Sequence, residues 1–238
     1  LSITIDARIA GRRLLVGNSR MTTRATLPSC VFHLAEAENW PSIQQHGLLS
    51  TSRLLAASGI EGTGALPSNG THRLSRTVLP NGIVIRDQKP IPSEALRRCL
   101  VGMSPEEWYG MLNARVFFWL DHERLNRQRL ACGPHRQVVM VLDTARLLAQ
   151  HRDRIELTAI NTGNARRKPA LRARATFVPY REWLASGWTS EATALGSSPR
   201  SRNHRPAELT VVDAVSDVME FVTAVVELRE GELLGRRI

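Results

Sequence analysis

Apolar positions along the chain fall in short runs of strand length, set between segments that carry helix start and stop signals. Cys30-Val31-Phe32-His33-Leu34 is such a run and predicts a buried strand. A helix is expected next, over Trp40 to His46. Asn39 offers a cap, Pro41 sits in the first turn, and Gly47 stands just past the end. A second helix over Ser52 to Ala57 and a short strand over Ile83 to Arg86 follow. Ser93 opens a helix through Leu100. Ser104-Pro105-Glu106-Glu107 is a strong start for another, reaching about Leu112.

Asn113 to Trp119 is dense in β-formers and reads as a strand, after which Asp121 opens a helix to Ala131. Gln137 to Leu142 is a buried strand, and Asp143-Thr144 caps a helix to His151. Arg154 to Ile160 reads as a strand ending in the turn Asn161-Thr162-Gly163-Asn164. Thr176 to Pro179 suits an edge strand, and Ala207 to Val212 and Val218 to Glu227 supply the last two. Two long connections, 58–82 and 186–206, are rich in Gly, Ser, Pro or Arg and are expected to be irregular and mobile. The strands do not alternate one-for-one with helices. A mixed sheet of α+β type is therefore expected, in a single domain over residues 21–238. Residues 1–20 carry interrupted apolar runs unlike a targeting peptide. They read as an upstream extension before Met21, with a short strand over Ser2 to Asp6 as the alternative.

Composition sharpens this picture in three places. A content of 42% hydrophobic residues in 238 supports a substantial core, and no apolar run approaches the roughly 20 residues needed to span a bilayer. Net charge is +10, which favours a polyanionic partner. However, Lys89 and Lys168 are the only lysines, and the Arg bias of a GC-rich coding sequence gives the same charge with no partner at all. Three cysteines without regular spacing suit reduced thiols and a cytoplasmic location. Cys132 and His135 have no second ligand pair, so no metal is expected.

The Rossmann, P-loop, nucleophile-elbow and zinc-protease signatures are all absent from the sequence. What remains are polar residues set in or beside apolar strands: His33, Arg86, Arg115 with Phe117 and Trp119, and Glu208. Each has a plain structural alternative. A strand histidine can bond backbone, a terminal arginine can be solvated, and the aromatics can be core.

Taken in order, these residues carry a resemblance. The segments FHLAEAENWPSIQQHGLLSTSRLL, IRDQKPI, WYGMLNARVFFWLDHERL, VVMVLDTARLL, IELTAINTGNA and PAELTVVDAVSDVMEFVTAVVEL resemble a family of uncharacterised bacterial proteins. The first, third and last are also distantly similar to the DarT toxins of the ADP-ribosyltransferase superfamily. The proline-arginine stretch that follows the aromatic strand in those enzymes has no counterpart here. The resemblance implies an ADP-ribosyltransferase-like fold with a central NAD cleft and transfer of ADP-ribose from NAD to an acceptor. It implies Glu208 as the catalytic carboxylate, with His33, Arg86, Arg115, Phe117 and Trp119 binding NAD. His33 and Glu208 are then expected on neighbouring strands around one cleft. A DNA or RNA acceptor, and an antitoxin or immunity partner, follow from the same likeness. The alternative keeps the fold and binds NAD or nucleic acid without turnover.

Overall fold

The computed structural model describes residues 26–59, 70–166 and 169–235. The expected strand Ser2 to Asp6, and the upstream segment as a whole, lie outside the described residues. In chain order the strands are β1 (Cys30–Glu36), β2 (Leu48–Leu49), β3 (Thr77–Val78), β4 (Val84–Ile85), β5 (Arg115–Trp119) and β6 (Gln137–Asp143). They continue with β7 (Ile155–Thr158), β8 (Val178–Pro179), β9 (Glu208–Val212), β10 (Ala214–Val215) and β11 (Val222–Leu228). The helices are α1 (Trp40–His46), α2 (Thr51–Ala57), α3 (Ser93–Arg97), α4 (Pro105–Asn113), α5 (His122–Ala131), α6 (Thr144–His151), α7 (Tyr180–Ser186) and α8 (Thr189–Leu195).

Seven strands form one sheet in the order β11-β6-β1-β5-β9-β7-β8. Each neighbouring pair in it is antiparallel. The fold is thus α+β and a single domain, with helices packed against a mostly antiparallel sheet. Among the described residues, no helix is long and apolar enough to cross a membrane.

Side chains alternate along a strand, and residues facing each other across a ladder share a side of the sheet. On one side Val31, Ala35, Val116, Phe118, Met140, Leu157, Leu209 and Val211 form the main core. Trp183 and Trp188 pack into it from α7 and the start of α8. On the other side α5 covers the sheet, with Leu125 against Leu34 and Val139. That side also carries Arg115, Phe117, Trp119 and Glu208, whereas His33 lies on the main-core side.

Local signals explain most element ends. Ser104 and Glu107 form a reciprocal capping box on α4. Asp121 and Asp143 cap α5 and α6 through their side chains. Asn39 does not cap α1. Its side-chain amide instead brackets Val84, accepting from its N–H at 2.8 Å and donating to its carbonyl at 2.8 Å. A tertiary contact has replaced the local one, and it fixes the β3–β4 hairpin to the start of α1.

The long connections differ from expectation. Segment 186–206 contains α8 and is pinned by Trp188 Nε1 donating to the His204 carbonyl at 3.0 Å. Arg200 adds a salt bridge at 3.2 Å to the buried Glu191. Composition concealed this because the anchors, Trp188, Glu191 and His204, are single residues in a polar stretch. In the connection 58–82, residues 60–69 lie outside the described residues. The part after them is held by buried Leu79 and by His72, stacked on Tyr109 at 4.9 Å.

Gly47 joins α1 to the small sheet of β2 and β10. It has φ 73°, and a Cβ there would meet the Val215 carbonyl oxygen at 2.4 Å and Ser216 Cα at 2.5 Å. Backbone strain and a clash with rigid main chain act together. Gly47→Ala is expected to destabilise the fold by at least about 2 kcal/mol, read as a lower urea midpoint. An unchanged midpoint would show that β10 moves freely away from Gly47.

Candidate functional site

A row of side chains crosses four strands on the α5 side of the sheet. Phe32 faces Trp119, Trp119 faces Glu208, and Glu208 faces Thr158. Glu208 opens β9 and is only 3% exposed. Its carboxyl is held by the turn that follows β7. Thr162 donates its backbone N–H to both oxygens, at 3.3 and 3.2 Å, and its Oγ1 lies 2.7 Å from Oε2. Thr158 Oγ1 lies 3.0 Å from Oε2 and 2.8 Å from the Ile160 carbonyl oxygen. One hydroxyl proton cannot serve both acceptors. With that proton on the Ile160 carbonyl, the contact between Thr158 and Glu208 requires a proton on the carboxyl.

Electrostatics points the same way. Burial pushes the Glu208 carboxyl up to about 7, while the bonds from Thr162 and Thr158 and the charge of Arg124 pull it back by less. Arg172, 1% exposed, fixes the Thr162 turn. It donates to the carbonyls of Thr162 at 3.2 Å, Asn164 at 3.1 Å and Ala170 at 3.2 Å. Sequence reasoning missed Thr158, Thr162, Arg124 and Arg172. Only the turn Asn161 to Asn164 was legible, and nothing in it singled out the threonine.

A second cluster lies across β5. Pairing between β1 and β5 is confined to Phe32 and Trp119. His33 spans the junction with its ring, placing Nδ1 2.8 Å from the Phe117 carbonyl oxygen. A carbonyl only accepts, so Nδ1 carries the proton and Nε2 presents a lone pair. Burial drives the imidazole down to about 4 against the pull of the Phe117 bond, and the nearby charge of Arg86 lowers it further. The ring is therefore neutral at pH 7. Arg86 donates from Nε to Glu36 Oε1 at 2.6 Å, and Gln137 Nε2 reaches the same oxygen at 3.2 Å. Arg73 holds the Arg86 carbonyl at 3.0 Å and Asn113 Oδ1 at 2.8 Å.

The expected juxtaposition of His33 and Glu208 is corrected. β5 lies between their strands, and alternation after Phe32 turns His33 to the opposite side, where its ring is 5.6 Å from Phe118. Arg86 bonds Glu36 on the Glu208 side and reaches His33 only through its charge, while Glu208 and Trp119 are direct partners across the β5–β9 ladder. Arg115 joins neither pair. It makes a two-pronged bond to Glu156 at 2.6 and 3.2 Å, donates to the Met111 carbonyl at 2.7 Å, and lies 4.2 Å from the Phe177 ring centre. Those contacts occupy the guanidinium and leave Arg86 as the better-placed candidate for phosphate. Phe117 packs edge-on against Phe177, and Trp119 Nε1 donates to Gln128 Oε1 on α5. None of these residues lines the apolar groove of about 390 Å³ between α6 and α7.

The sequence model of a family of unknown function (DUF7002) matches residues 29–222, a span that holds both clusters. No curated protein and no solved structure matches the chain.

The raised pKa of Glu208 makes stability depend on pH. A group whose folded pKa lies above its ordinary 4.5 contributes stability that is full below 4.5 and is lost as pH rises through about 7. Glu208→Gln keeps the shape and cannot ionise. From pH 4.5 to 8 the native protein is expected to lose on the order of 3 kcal/mol relative to this variant, measured by chemical denaturation at each pH. Parallel curves for the two proteins would mean that Glu208 titrates normally.

Proposed function

The chain belongs to this family of unknown function (DUF7002), and we propose that it acts as an NAD-dependent ADP-ribosyltransferase with Glu208 as its catalytic carboxylate. The observation that supports this most directly is the state of that residue. An acid at the head of a central strand is sealed from water and poised near neutrality. Such tuning concentrates at functional sites.

In the proposed reaction the bond between nicotinamide nitrogen and ribose C1′ breaks, and its electron pair leaves with neutral nicotinamide. A nucleophile on the acceptor then bonds to C1′ and loses its proton. Positive charge develops on the ribose, as in glycoside cleavage. The Glu208 carboxylate, once ionised in a site shielded from water, stabilises that charge strongly. Its second oxygen accepts a ribose hydroxyl. His33 is set aside as a ribose ligand, because its ring lies on the opposite side of the sheet from Glu208. Arg86 supplies a guanidinium for the pyrophosphate. NAD then lies on the side of the sheet that carries Glu208 and Glu36, across the weakly paired junction of β1 and β5. Trp119, beside Glu208, offers an aromatic face for nicotinamide.

One observation favours a second reading, binding without turnover. Both Glu208 oxygens already have donors from Thr162. Incubation with NAD separates the two. Nicotinamide release is expected from the native chain and should fall by on the order of 10²–10³-fold in Glu208→Gln, by analogy with loss of a charge-stabilising group elsewhere. Release that is absent, or equal in both proteins, would overturn the catalytic assignment.

For the acceptor we propose nucleic acid. Net charge is +10, and Arg202 and Arg205 are exposed on the segment leading into Glu208. The segment 165–174 contributes less than its composition suggests, since Arg172 is buried. Arg200 is also set aside, because it pairs with Glu191. In a mixture of DNA, RNA and protein with labelled NAD, Arg202→Ser/Arg205→Ser should lower nucleic-acid labelling relative to NAD hydrolysis by roughly tenfold. Label on protein alone, or an unchanged ratio, would defeat this choice of acceptor.

A further inference from the structure

Glu36 and Gln137 are direct partners at the end of the β1–β6 ladder, 3% and 0% exposed. Arg86 approaches them from the end of β4, and its side chain, 24% exposed, lies between them and solvent. All three side chains meet at one atom, Glu36 Oε1. Yet each keeps a buried polar atom without a hydrogen-bond partner: Glu36 Oε2, Gln137 Oε1 and Arg86 Nη2. Buried polar atoms in native proteins are nearly always paired, so three such atoms on one hydrogen-bonded triad call for a cause.

The ion pair itself is unusual in the same way. Arg115 and Glu156 engage through two parallel bonds. Arg86 and Glu36 form one, from Nε to Oε1, and leave Nη2 and Oε2 apart. Closing the second prong would satisfy both atoms. The splayed geometry leaves both atoms open to a third group.

We propose that Glu36, Gln137 and Arg86 form a recognition subsite for an amino group that stands beside a hydrogen-bond acceptor. This is the edge of a primary carboxamide or of an aminopurine. The two N–H groups bond to Glu36 Oε2 and Gln137 Oε1, and the adjacent oxygen or ring nitrogen accepts from Arg86 Nη2. The pyrophosphate proposed above meets Arg86 through the exposed part of its side chain; at the three unpaired atoms themselves an anion is disfavoured, because two of them are acceptors. The Gln137 amide cannot turn over to relieve this without losing its bond to Glu36. Arg86 thus has two tasks, and the subsite adjoins the place proposed for the pyrophosphate.

The choice of probes rests on the NAD reading above. NAD carries both forms of the edge, so two pairs distinguish the sources: nicotinamide against nicotinic acid, and adenosine against inosine. Calorimetric titration of the full chain should show at least one amino-bearing compound binding roughly tenfold or more tighter than its partner, because the partner leaves buried atoms unpaired. Gln137→Met removes the acceptor while keeping the length, and should bring that ratio close to one. The discriminating pair identifies the edge. Failure of both amino compounds to bind, equal affinities within both pairs, or a ratio undiminished in a folded Gln137→Met would overturn the subsite. So would a crystal structure of the bound complex with water alone on the three atoms. The native ratios decide the matter if the variant does not fold. Discrimination without NAD hydrolysis would retain the subsite and remove the transferase. Hydrolysis without discrimination would do the reverse.

Discussion

The seven-stranded sheet is continuous through a single backbone pairing, Phe32 against Trp119. On one side of it, β11, β6 and β1 form long ladders, broken once between Val222 and Ala224; on the other, β5, β9 and β7 pair over shorter runs and β8 adds a short edge. The two halves are joined by packing more than by hydrogen bonds. Val31 and Met140 from one half share a core with Phe118 and Leu209 from the other. His33 supplies the cross-strand bond that a longer ladder would have made with backbone. A side chain can be rearranged at lower cost than a ladder, so this junction is the natural place for a ligand to enter the sheet. Both polar clusters flank it.

Arginine does much of the internal construction, and this changes the meaning of the net charge. Arg129, 2% exposed, donates to the carbonyls of Gly133 and Arg229. Arg172 closes the Thr162 turn, Arg73 fixes the Arg86 backbone, and Arg115 locks β5 to β7. A planar guanidinium with five donors suits this work, because it can satisfy several carbonyls that leave no ladder partner. Positive charge used in this way is hidden from a polyanion. What remains for the proposed acceptor is the exposed part, and it is smaller than a count of basic residues suggests.

Strand and helix positions were largely legible because they depend on nearest neighbours. Ser104-Pro105-Glu106-Glu107 carries its own start signal, and Gln137 to Leu142 its own burial. Residues whose role is set by distant partners were not. Asn39 looked like a cap and is a clasp on Val84, 45 positions away. Glu36 ends an apolar strand and gave no sign that Arg86 and Gln137 would converge on it. Glu208 was visible as an acid opening a strand, but its tuning comes from Thr158 and Thr162, which look like ordinary strand and turn residues. His33 was visible too, yet the face it occupies depends on register, which one residue of slip would reverse.

The sealing of Glu208 bears on how a substrate could reach it. The Thr162 hydroxyl and N–H satisfy the carboxyl, and Arg172 holds the turn that carries them. Displacing that turn outright would unpair a buried acid and several carbonyls, a cost of several kcal/mol by the usual penalties for orphaned polar groups. A ribose hydroxyl, however, offers the same donor as the Thr162 hydroxyl. Exchange of one for the other keeps the number of bonds to Glu208, while the displaced Thr162 hydroxyl, fully buried, needs a new partner. The backbone N–H of Thr162 and the anchor at Arg172 stay in place. Exchange also favours ionisation, because a developing cation beside the carboxyl offsets the burial that keeps it protonated. In the proposed transfer, a carboxyl poised between its neutral and charged forms, and driven to the charged form by a cationic ribose, stabilises the transition state more than the ground state.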